Sequence, residues 1–284
     1  MKTYFDCISC FVQQTISTLR RISDDEAIQG EGLRKVLLLL SEINLNLPPP
    51  VMAQPIYRTI REVTGDADPF VQEKTNQNIY AHSLVSEIKE RYHGDPDLFV
   101  KMLRLSIAGN IIDSGVNSDV KREDVLKSIY YSMETPIDMK AVNELRNAIT
   151  EANVILYLGD NAGEIVFDKL LIEQMPHDKV TYVVRGAPII NDVTIKDAQE
   201  VKMDELVDVI DNGSDAPGTI LDDCSQGFRE RFESADLIIA KGQGNYETLS
   251  EANKSIFFLL QAKCPVIARD IGCEVGSFIV ERNF

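Results

Sequence analysis

The sequence predicts an α/β protein: a three-layer α/β/α, Rossmann-like fold with a mostly parallel sheet, preceded by an all-helical N-terminal region. Two observations lead to this fold class. Apolar residues recur at intervals of three and four through residues 1–135, which is the period of amphipathic helices. After residue 136, short runs of branched apolar residues alternate with helical segments, as in a doubly wound sheet. We therefore predict a helical region over 1–135 and an α/β domain over 136–284 that carries the functional site.

Length, composition and charge limit the class of protein. The 284 residues are enough for one large domain or two smaller ones, and 44% hydrophobic with 26% charged residues is typical of globular proteins. Since no apolar run approaches the roughly 20 residues that cross a bilayer, and no signal peptide is visible, we expect a cytoplasmic protein without a membrane partner. A net charge of −16 argues against nucleic acid as a partner. A homo-oligomer is compatible with the sequence but not specified by it.

The helical region is divided by its proline and glycine residues. The run 48–50 is three prolines, which predicts a helix stop and a short spacer. Asp68 precedes Pro69, a pattern typical of a helix N-cap with proline at the first helical position; capping is also the simplest reading of Asp66. A first helix contains Cys7 and Cys10. The other predicted helices cover 32–47, 51–63, 79–92, 96–112, 125–133 and 141–152.

The five cysteines do not indicate a disulfide framework in a cytosolic chain. Cys7 and Cys10 form a single C-x-x-C, and a structural zinc ion would need further ligands from distant cysteines or the three histidines. Buried free thiols on the first helix are the simpler interpretation. A redox pair is less favoured because no strand precedes the motif.

Short apolar runs predict the strands of the α/β domain. Strands are expected over 154–158, 180–184, 206–210 and 237–240, and residues 165–173 should form the helix after the first strand. For the last part of the chain we predict a helix over 256–260 followed by a strand over 265–268.

Polar residues follow three of the predicted strands. Because the carboxyl ends of parallel strands lie at one edge of a sheet, we expect these clusters to converge. Two acids and an amide from different loops can hold a divalent cation, while nearby cations and backbone N–H groups at Gly163 and Gly242 could bind a phosphate. The alternative for Asp160 and Asn161 is a helix cap. The clusters are Asp160 with Asn161, Arg185 with Asn191 and Asp192, and Lys241 with Gln243, Asn245 and Tyr246.

A second group of polar residues lies near the end of the last helix before residue 113. Asn110 and Asp113 are spaced i, i+3 and so share one helix face, next to an apolar pair that would bury them. We expect these two residues and Glu164 to orient the substrate or a water molecule.

Three segments resemble the motifs of the metal-dependent damage-control phosphatases, a family long catalogued as a domain of unknown function. They are Asp160-Asn-Ala-Gly-Glu164, Pro188-Ile-Ile-Asn-Asp-Val-Thr194 and Lys241-Gly-Gln-Gly-Asn-Tyr-Glu-Thr-Leu-Ser-Glu251. The stand-alone microbial branch also shares an early C-x-x-C, an Asp-Pro-Phe (68–70) and a Gly-Asn-x-x-Asp (109–113). Eukaryotic relatives end in an Arg-Thr-x-Lys motif, where this chain has only Ala268-Arg269-Asp270 nearby.

The resemblance implies one divalent metal ion (Mn, Ni, Co or Mg) in a buried cleft, with Asp160, Asn161 and Asp192 as ligands and 243–247 as a substrate-binding loop. We therefore predict a phosphatase acting on small phosphorylated metabolites, either sugar phosphates or damaged cofactor phosphates. Lys241 would neutralise charge on the transferred group, and Arg185, Gln243, Asn245 and Tyr246 would bind the substrate. Whether Asp160 is a nucleophile or only a ligand stays open.

Two other functions are compatible with these residues. One is a methyltransferase that uses adenosyl-methionine on a similar sheet and needs no metal. The other is a non-catalytic protein that binds a metal or a metabolite. Phosphate release that depends strictly on a divalent metal would separate the predicted phosphatase from both alternatives.

Overall fold

The computed structural model describes residues 1–109 and 121–283. In these residues the chain before the first strand is helical, as predicted. Amphipathic spacing decides which faces are buried; in the first helix, for example, Phe11, Thr15 and Leu19 point inward. The helices are α1 (Phe5–Ile22), α2 (Glu26–Ser41), α3 (Pro49–Thr64), α4 (Val71–Arg91), α5 (Leu98–Ile107), α6 (Arg122–Ser132) and α7 (Met139–Glu151).

Two local predictions in this region are wrong. The proline run is not a spacer: Pro49 and Pro50 occupy the first turn of α3, where the missing N–H groups would have no helical partner in any case. Asp68 does not cap α4, whose N-cap is Phe70. Instead the Asp68 carboxylate accepts a hydrogen bond from the Phe70 N–H (3.3 Å) and pairs with buried Lys74 (2.9 Å).

Six strands form one sheet in the order β3-β2-β1-β4-β5-β6. The first five are mutually parallel and β6 runs antiparallel to β5, so the predicted three-layer, mostly parallel α/β fold is confirmed. The strand order reverses direction between β1 and β4, and ligands bind at such switch points. The strands are β1 (Ile155–Leu158), β2 (Val180–Val184), β3 (Asp208–Asp211), β4 (Leu237–Lys241), β5 (Ile256–Gln261) and β6 (Phe278–Arg282).

Five helices connect these strands. They are α8 (Glu164–Ile172), α9 (Ile195–Glu200), α10 (Gln226–Ser234), α11 (Gly242–Leu249) and α12 (Pro265–Ile271). The polar segment after β4, predicted as a loop, is therefore the helix α11.

The structure reverses the predicted order of helix and strand after residue 255. Residues 256–260 are five consecutive buried apolar residues and pair with β4 as a strand, whereas Pro265 begins α12 and Gly272 ends it with φ 81°. The periodicity of a short apolar run does not distinguish a buried strand from a buried helix. The sequence feature that identifies the second segment as the helix is Pro265, because proline is favoured at the first helical position. Strand β6 was not predicted at all.

Side chains that alternate along the strands build a core on each face of the sheet. Ile155 and Tyr157 face α4–α8, whereas Leu156 and Leu158 face α10–α12. A third cluster lies between α1, α2 and α3 and includes Ile189 from the loop after β2. The first core contains residues from both sides of the predicted boundary between 135 and 136. The division into two domains at that point stays a prediction. No helix in the described part of the chain has the length and apolar character needed to span a membrane.

Candidate functional site

The turn after β1 sets Asp160 and Asn161 at the carboxyl edge of the sheet. Gly159 continues the ladder by donating its N–H to the Val183 carbonyl (2.9 Å), and a side chain here would come within 2.4 Å of the Tyr182 hydroxyl oxygen. Asp160 then lies against Gly242, where a Cβ would be 2.0 Å from Asp160 Oδ2. Gly159 is therefore required by the close approach of Tyr182, and Gly242 by the position of Asp160.

The segment after β2 folds back so that Asp192 comes beside Asn161. The N–H of Val193 donates to the Asp160 carbonyl (2.9 Å), and the N–H of Ala162 donates to the Asn191 carbonyl (2.9 Å). These bonds form an antiparallel bridge between Asn161 and Asp192. The two acids and the amide that the sequence placed in different loops are thus neighbours in space.

Arg185 lies between the two acids and is almost fully buried. Its Nε donates to Asp192 Oδ2 (2.7 Å) and its Nη1 approaches Asn245 Oδ1 (3.4 Å). Its Nη2 is 4.0 Å from Asp160 Oδ1 and has no hydrogen-bond partner among the described residues. Asn245 is itself fixed, since its Nδ2 donates to the Lys241 carbonyl (2.8 Å). An N–H of a buried guanidinium without a partner is costly unless an anion or water completes it.

Keeping both buried carboxylates ionised costs free energy, and a bound cation would offset that cost. Burial, and then the neighbouring charge of Asp192, raise the pKa of Asp160 to about 6, although Lys263 and Arg185 act in the opposite direction. Burial also raises the pKa of Asp192, against the effect of Arg185. Two acids and an amide are hard oxygen donors and suit a divalent cation. Among residues 1–109 and 121–283, no group of three or more His, Cys, Asp and Glu residues is arranged to hold a metal ion.

Lys241 points into the protein beneath this turn. Its ammonium donates to the Ser106 carbonyl (2.9 Å), to Glu164 Oε1 (2.5 Å) and to Asp168 Oδ1 (2.7 Å), which uses all three N–H groups. Burial lowers the pKa of Lys241, but Asp168 and Glu164 outweigh this effect and raise it overall. The predicted catalytic role of Lys241 stays a prediction, and its contacts are those of a buried ion pair.

Asp168 is the centre of a polar network that sequence reasoning did not find. Its Oδ1 also accepts from the hydroxyls of Ser106 (2.6 Å) and Tyr157 (3.0 Å), and its Oδ2 accepts from Tyr182 (2.9 Å). It lies in the middle of α8, where an apolar residue is expected. The only signal in the sequence is an acid within a run of apolar helix residues. Because Tyr182 also packs on Gly159, this network supports the turn that carries Asp160.

Glu164 lies at the first position of α8 and is buried against Lys241. Burial raises the pKa of Glu164 to about 7, and the negative charges of Asp160 and Asp168 add to this effect while Lys241 opposes it. From the helical region, Asn78 on α4 accepts a hydrogen bond from the Gly163 N–H (2.7 Å) and so fixes the start of α8.

Two predicted substrate-binding side chains have other partners. Gln243 Oε1 accepts from the Lys263 N–H (2.6 Å), and the Tyr246 hydroxyl contacts Asp270 (3.0 Å) with its ring edge-on to Phe258. Among the described residues, neither side chain forms a hydrogen bond with Asp160 or Asp192. Asn110 and Asp113 lie outside the described residues.

Lys263 was not predicted from the sequence as a residue near the site. Arg269 was the only cation named near the position of the C-terminal motif. Lys263 is exposed, follows β5, and its charge lowers the pKa of both Asp160 and Glu164. Arg269 pairs with Asp6 at the surface (3.1 Å). Since β5 was predicted as a helix, Lys263 was not recognised as a residue at the end of a strand.

The cysteines of the C-x-x-C are free, but only in part as predicted. Cys7 is half-buried and Cys10 is exposed, so the interpretation of the pair as buried thiols is wrong for Cys10. Burial is the main cause that raises the pKa of both thiols, and Cys264 lies near enough to contribute.

Taken together, these features define a doubly wound α/β protein with two carboxylates, an amide and a buried arginine at the switch point of its sheet, which is where open α/β sheets bind ligands. The chain belongs to the damage-control phosphatase ARMT1-like domain family, whose family model matches residues 3–279. The resemblance that the sequence motifs indicated is therefore confirmed, and membership supports a phosphatase role.

Relatives match this chain over nearly its whole length. A damage-control phosphatase of Archaeoglobus fulgidus is 35% identical over 97% of both chains. A damage-control phosphatase of Pyrococcus horikoshii is 34% identical over 100% of this chain and 99% of its own. The crystal structure of a DUF89 family protein from Pyrococcus horikoshii superposes with a TM-score of 0.92 at 33% identity and covers 100% of both chains.

Proposed function

We propose that this protein is a metal-dependent phosphomonoesterase that acts on small phosphorylated metabolites, with sugar phosphates or damaged cofactor phosphates as substrates. The observation that supports it most is the position of Arg185 Nη2, which has no hydrogen-bond partner among the described residues and lies 4.0 Å from Asp160 Oδ1, beside a pair of buried acids. Acids without a cation would repel a phosphate, whereas acids that hold a divalent ion beside a free guanidinium N–H attract one.

In this proposal Asp160, Asn161 and Asp192 hold one divalent ion, Mn, Ni, Co or Mg. When bound by these residues, such an ion would supply Lewis-acid stabilisation of the charge on the phosphoryl oxygens. Arg185 donates to a phosphate oxygen, and Lys263 supplies a second positive charge from the surface side. Lys241 acts indirectly, because its three donors are used by the Ser106 carbonyl, Glu164 and Asp168.

Glu164 orients the attacking water in this proposal. It follows directly on the turn that carries two of the ligands, and Lys241 fixes its carboxylate from below. Asp160 is treated as a ligand, which needs fewer assumptions than a role as nucleophile. The partners are small phosphorylated metabolites in the cytoplasm, with neither nucleic acid nor membrane involved.

The test is phosphate release from a panel of phosphomonoesters after removal of bound metal and addition of single divalent ions. We expect turnover only with metal. Metal-independent transfer of a methyl group from adenosyl-methionine would favour a methyltransferase, and metal binding without turnover of any substrate would favour a non-catalytic binding protein.

Asp192→Asn tests the ligand set. The change keeps the shape and the acceptor for Arg185 Nε but removes one negative charge. We expect a folded protein whose metal affinity falls at least about tenfold, with activity partly recovered at high metal concentration, as measured by calorimetric titration with Mn²⁺. Asp204→Asn, at an exposed acid, is the matched control and should bind metal like the wild type. Unchanged affinity in Asp192→Asn would remove this residue from the site.

A further inference from the structure

The loop between β3 and α10 reaches the site, although the proposed function uses none of its residues. It covers residues 212–225, and three of its polar side chains are as deeply buried as the core: Asn212, Ser214 and Thr219 are each at most 1% exposed. Loops usually run over the surface, because polar groups that are buried need partners. The partners of these side chains therefore indicate what the loop contributes.

Thr219 connects this loop to Arg185. Its hydroxyl donates a hydrogen bond to Asn245 Oδ1 (2.8 Å) and accepts one from Arg185 Nη1 (3.4 Å). Nη1 also lies 3.4 Å from Asn245 Oδ1. A hydroxyl can take both parts because it has one donor and two lone pairs. Thr219 and Asn245 together thus form the acceptor pair for Nη1.

Both members of this acceptor pair are fixed to the start of α11. The Nδ2 of Asn245 donates to the Lys241 carbonyl (2.8 Å) and to the Gly159 carbonyl (3.3 Å). The backbone N–H of Thr219 donates to the hydroxyl of Thr248, about one turn further along the helix (3.1 Å). The pair is therefore held by the same helix that packs against Asp160.

The beginning of the loop is fixed to the strand that carries Arg185. The Asn212 N–H donates to the Val184 carbonyl (2.9 Å), and the Gly186 N–H donates to the Ser214 carbonyl (2.8 Å) and to Asn212 Oδ1 (3.1 Å). Asp215 is bound in addition by Arg58 of α3. With these contacts the loop has little freedom to carry Thr219 away from the guanidinium.

These contacts determine where Nη2 of Arg185 points. A guanidinium group is planar, so fixing Nε through Asp192 (2.7 Å) and Nη1 through Thr219 and Asn245 also fixes Nη2. Nη2 stays 4.0 Å from Asp160 Oδ1, roughly 1 Å longer than a charge-assisted hydrogen bond. Opposite charges attract strongly in a buried site, so the separation requires an opposing constraint. The contacts of Nη1 supply it.

We propose that Thr219 is a positioning residue for Arg185: its hydroxyl, with Asn245, keeps the guanidinium turned so that Nη2 stays open to a phosphate oxygen instead of closing on Asp160. The inference rests on the proposed phosphatase function and adds the loop after β3 to the elements that build the site. In this assignment Thr219 does not touch the substrate and acts only through Arg185.

The experiment measures the affinity of the Mn²⁺-loaded protein for inorganic phosphate by calorimetric titration. Thr219→Val keeps the size and branching of the side chain but removes both hydrogen bonds, so we expect the Kd for phosphate to rise about fivefold. Thr219→Ala removes the same hydroxyl by truncation and should give a similar rise, so that the comparison does not depend on one variant folding.

Two further variants separate the hydroxyl from a general effect of substitution. Thr219→Ser keeps the donor and the acceptor and should bind phosphate within about twofold of the wild type. Thr15→Val is the matched control, because Thr15 is also fully buried and its hydroxyl donates to the Phe11 carbonyl within α1 (2.7 Å). It should bind phosphate like the wild type.

Steady-state kinetics distinguish a positioning role from a loss of folded protein. With a phosphomonoester that the wild type hydrolyses, Thr219→Val should raise KM by a factor similar to that for phosphate and leave kcat within about twofold. This is expected because Arg185 binds the phosphate group in the ground state as well as in the transition state. A merely structural role would instead lower kcat at constant KM and would overturn the inference.

The outcomes also separate this inference from the phosphatase proposal. Turnover by the wild type with equal phosphate affinities in the wild type and Thr219→Val would overturn the positioning role alone. Weaker phosphate binding by Thr219→Val, with no turnover of any phosphomonoester by the wild type, would overturn the phosphatase proposal alone. A wild-type protein that binds no phosphate would overturn both.

Discussion

At the scale of single residues, the site depends on charges that are buried together and compensated pairwise. Arg185 compensates Asp192, and Lys241 compensates Glu164 and Asp168. Removal of one member of a buried pair leaves the other uncompensated, which costs much more than the pair contributes. The two cations differ in function: among the described residues Arg185 Nη2 has no hydrogen-bond partner, whereas all three N–H groups of Lys241 are used.

Lys241→Met should therefore act on stability first. It leaves Glu164 and Asp168 without a cation in the core, and we expect the free energy of unfolding to fall by about 3–5 kcal/mol in urea titrations. Lys89→Met, which removes a half-exposed partner of Glu173, should cost at most about 1 kcal/mol. A stable Lys241→Met protein with normal metal content and slow phosphate release would instead support a direct contact between Lys241 and the phosphate.

The raised pKa values predict how the metal-free protein responds to pH. Asp160 titrates at about 6 and Glu164 at about 7 when folded, both above their ordinary values near 4, so the folded state binds more protons than the unfolded state between these limits. The stability that these two groups contribute is thus present below about pH 4 and is lost as the pH rises to 7. Urea midpoints should decrease from pH 4.5 to 7.5 without metal, and saturating Mn²⁺ should flatten the decrease. A midpoint that rises with pH in the metal-free protein would contradict the assignment.

At the scale of elements, the predictions were most accurate where an apolar pattern was bounded by a residue typical of a turn. The five apolar residues before Gly159 are followed at once by a turn signal, which favoured a buried strand, and β2 was predicted to the residue. The run after residue 255 had no such support, because a buried strand and a buried helix have the same composition over five residues. That error hid Lys263. The segment 243–247, predicted as a loop, is helical, and the Tyr246 hydroxyl contacts Asp270.

Contacts between distant residues were beyond any local pattern. Asp168 is identified only when Tyr157, Tyr182 and Lys241 are seen around it, and these come from three different strands. Asp160, Asn161 and Asp192 could be predicted to lie close together because each belongs to a segment that follows a parallel strand. The carboxyl ends of parallel strands lie at the same edge of the sheet.

Gly242→Ala tests how the start of α11 positions Asp160. The residue has φ 78°, and a Cβ would collide with the Asp160 carboxylate. We expect loss of metal affinity in calorimetric titration together with a loss of stability. Gly272→Ala is a close match, with φ 81° but no atom of the described residues within 4 Å of the added Cβ, so it should lose stability through backbone strain and keep its metal affinity. Equal metal affinities in the two variants would show that Gly242 does not determine the position of Asp160.

At the scale of the whole molecule, the helical region supports the α/β domain rather than standing beside it. Leu84 and Leu103 belong to the same core as Ile155 of β1 and are fully buried. Asp215, in the loop after β3, accepts from Arg58 of α3 (2.5 Å for Nη2 to Oδ1), and Arg61 and Gln54 bind the same carboxylate. These contacts hold α3 on the loops that surround the site.

This arrangement predicts one cooperative unfolding transition for the full chain. Two independent domains divided at residue 135 would unfold in separate transitions. Here residues of both parts belong to one apolar core, so unfolding of the helical part exposes one face of the sheet and should destabilise the α/β part as well. Since the chain has no tryptophan, the transition is followed by far-UV circular dichroism and by tyrosine emission, and the two urea curves should coincide. Leu103→Ala, in the helical region, should shift both curves equally by about 2–5 kcal/mol. Two separate transitions, or a Leu103→Ala effect confined to the helical signal, would show instead that residues 1–135 fold as a domain of their own.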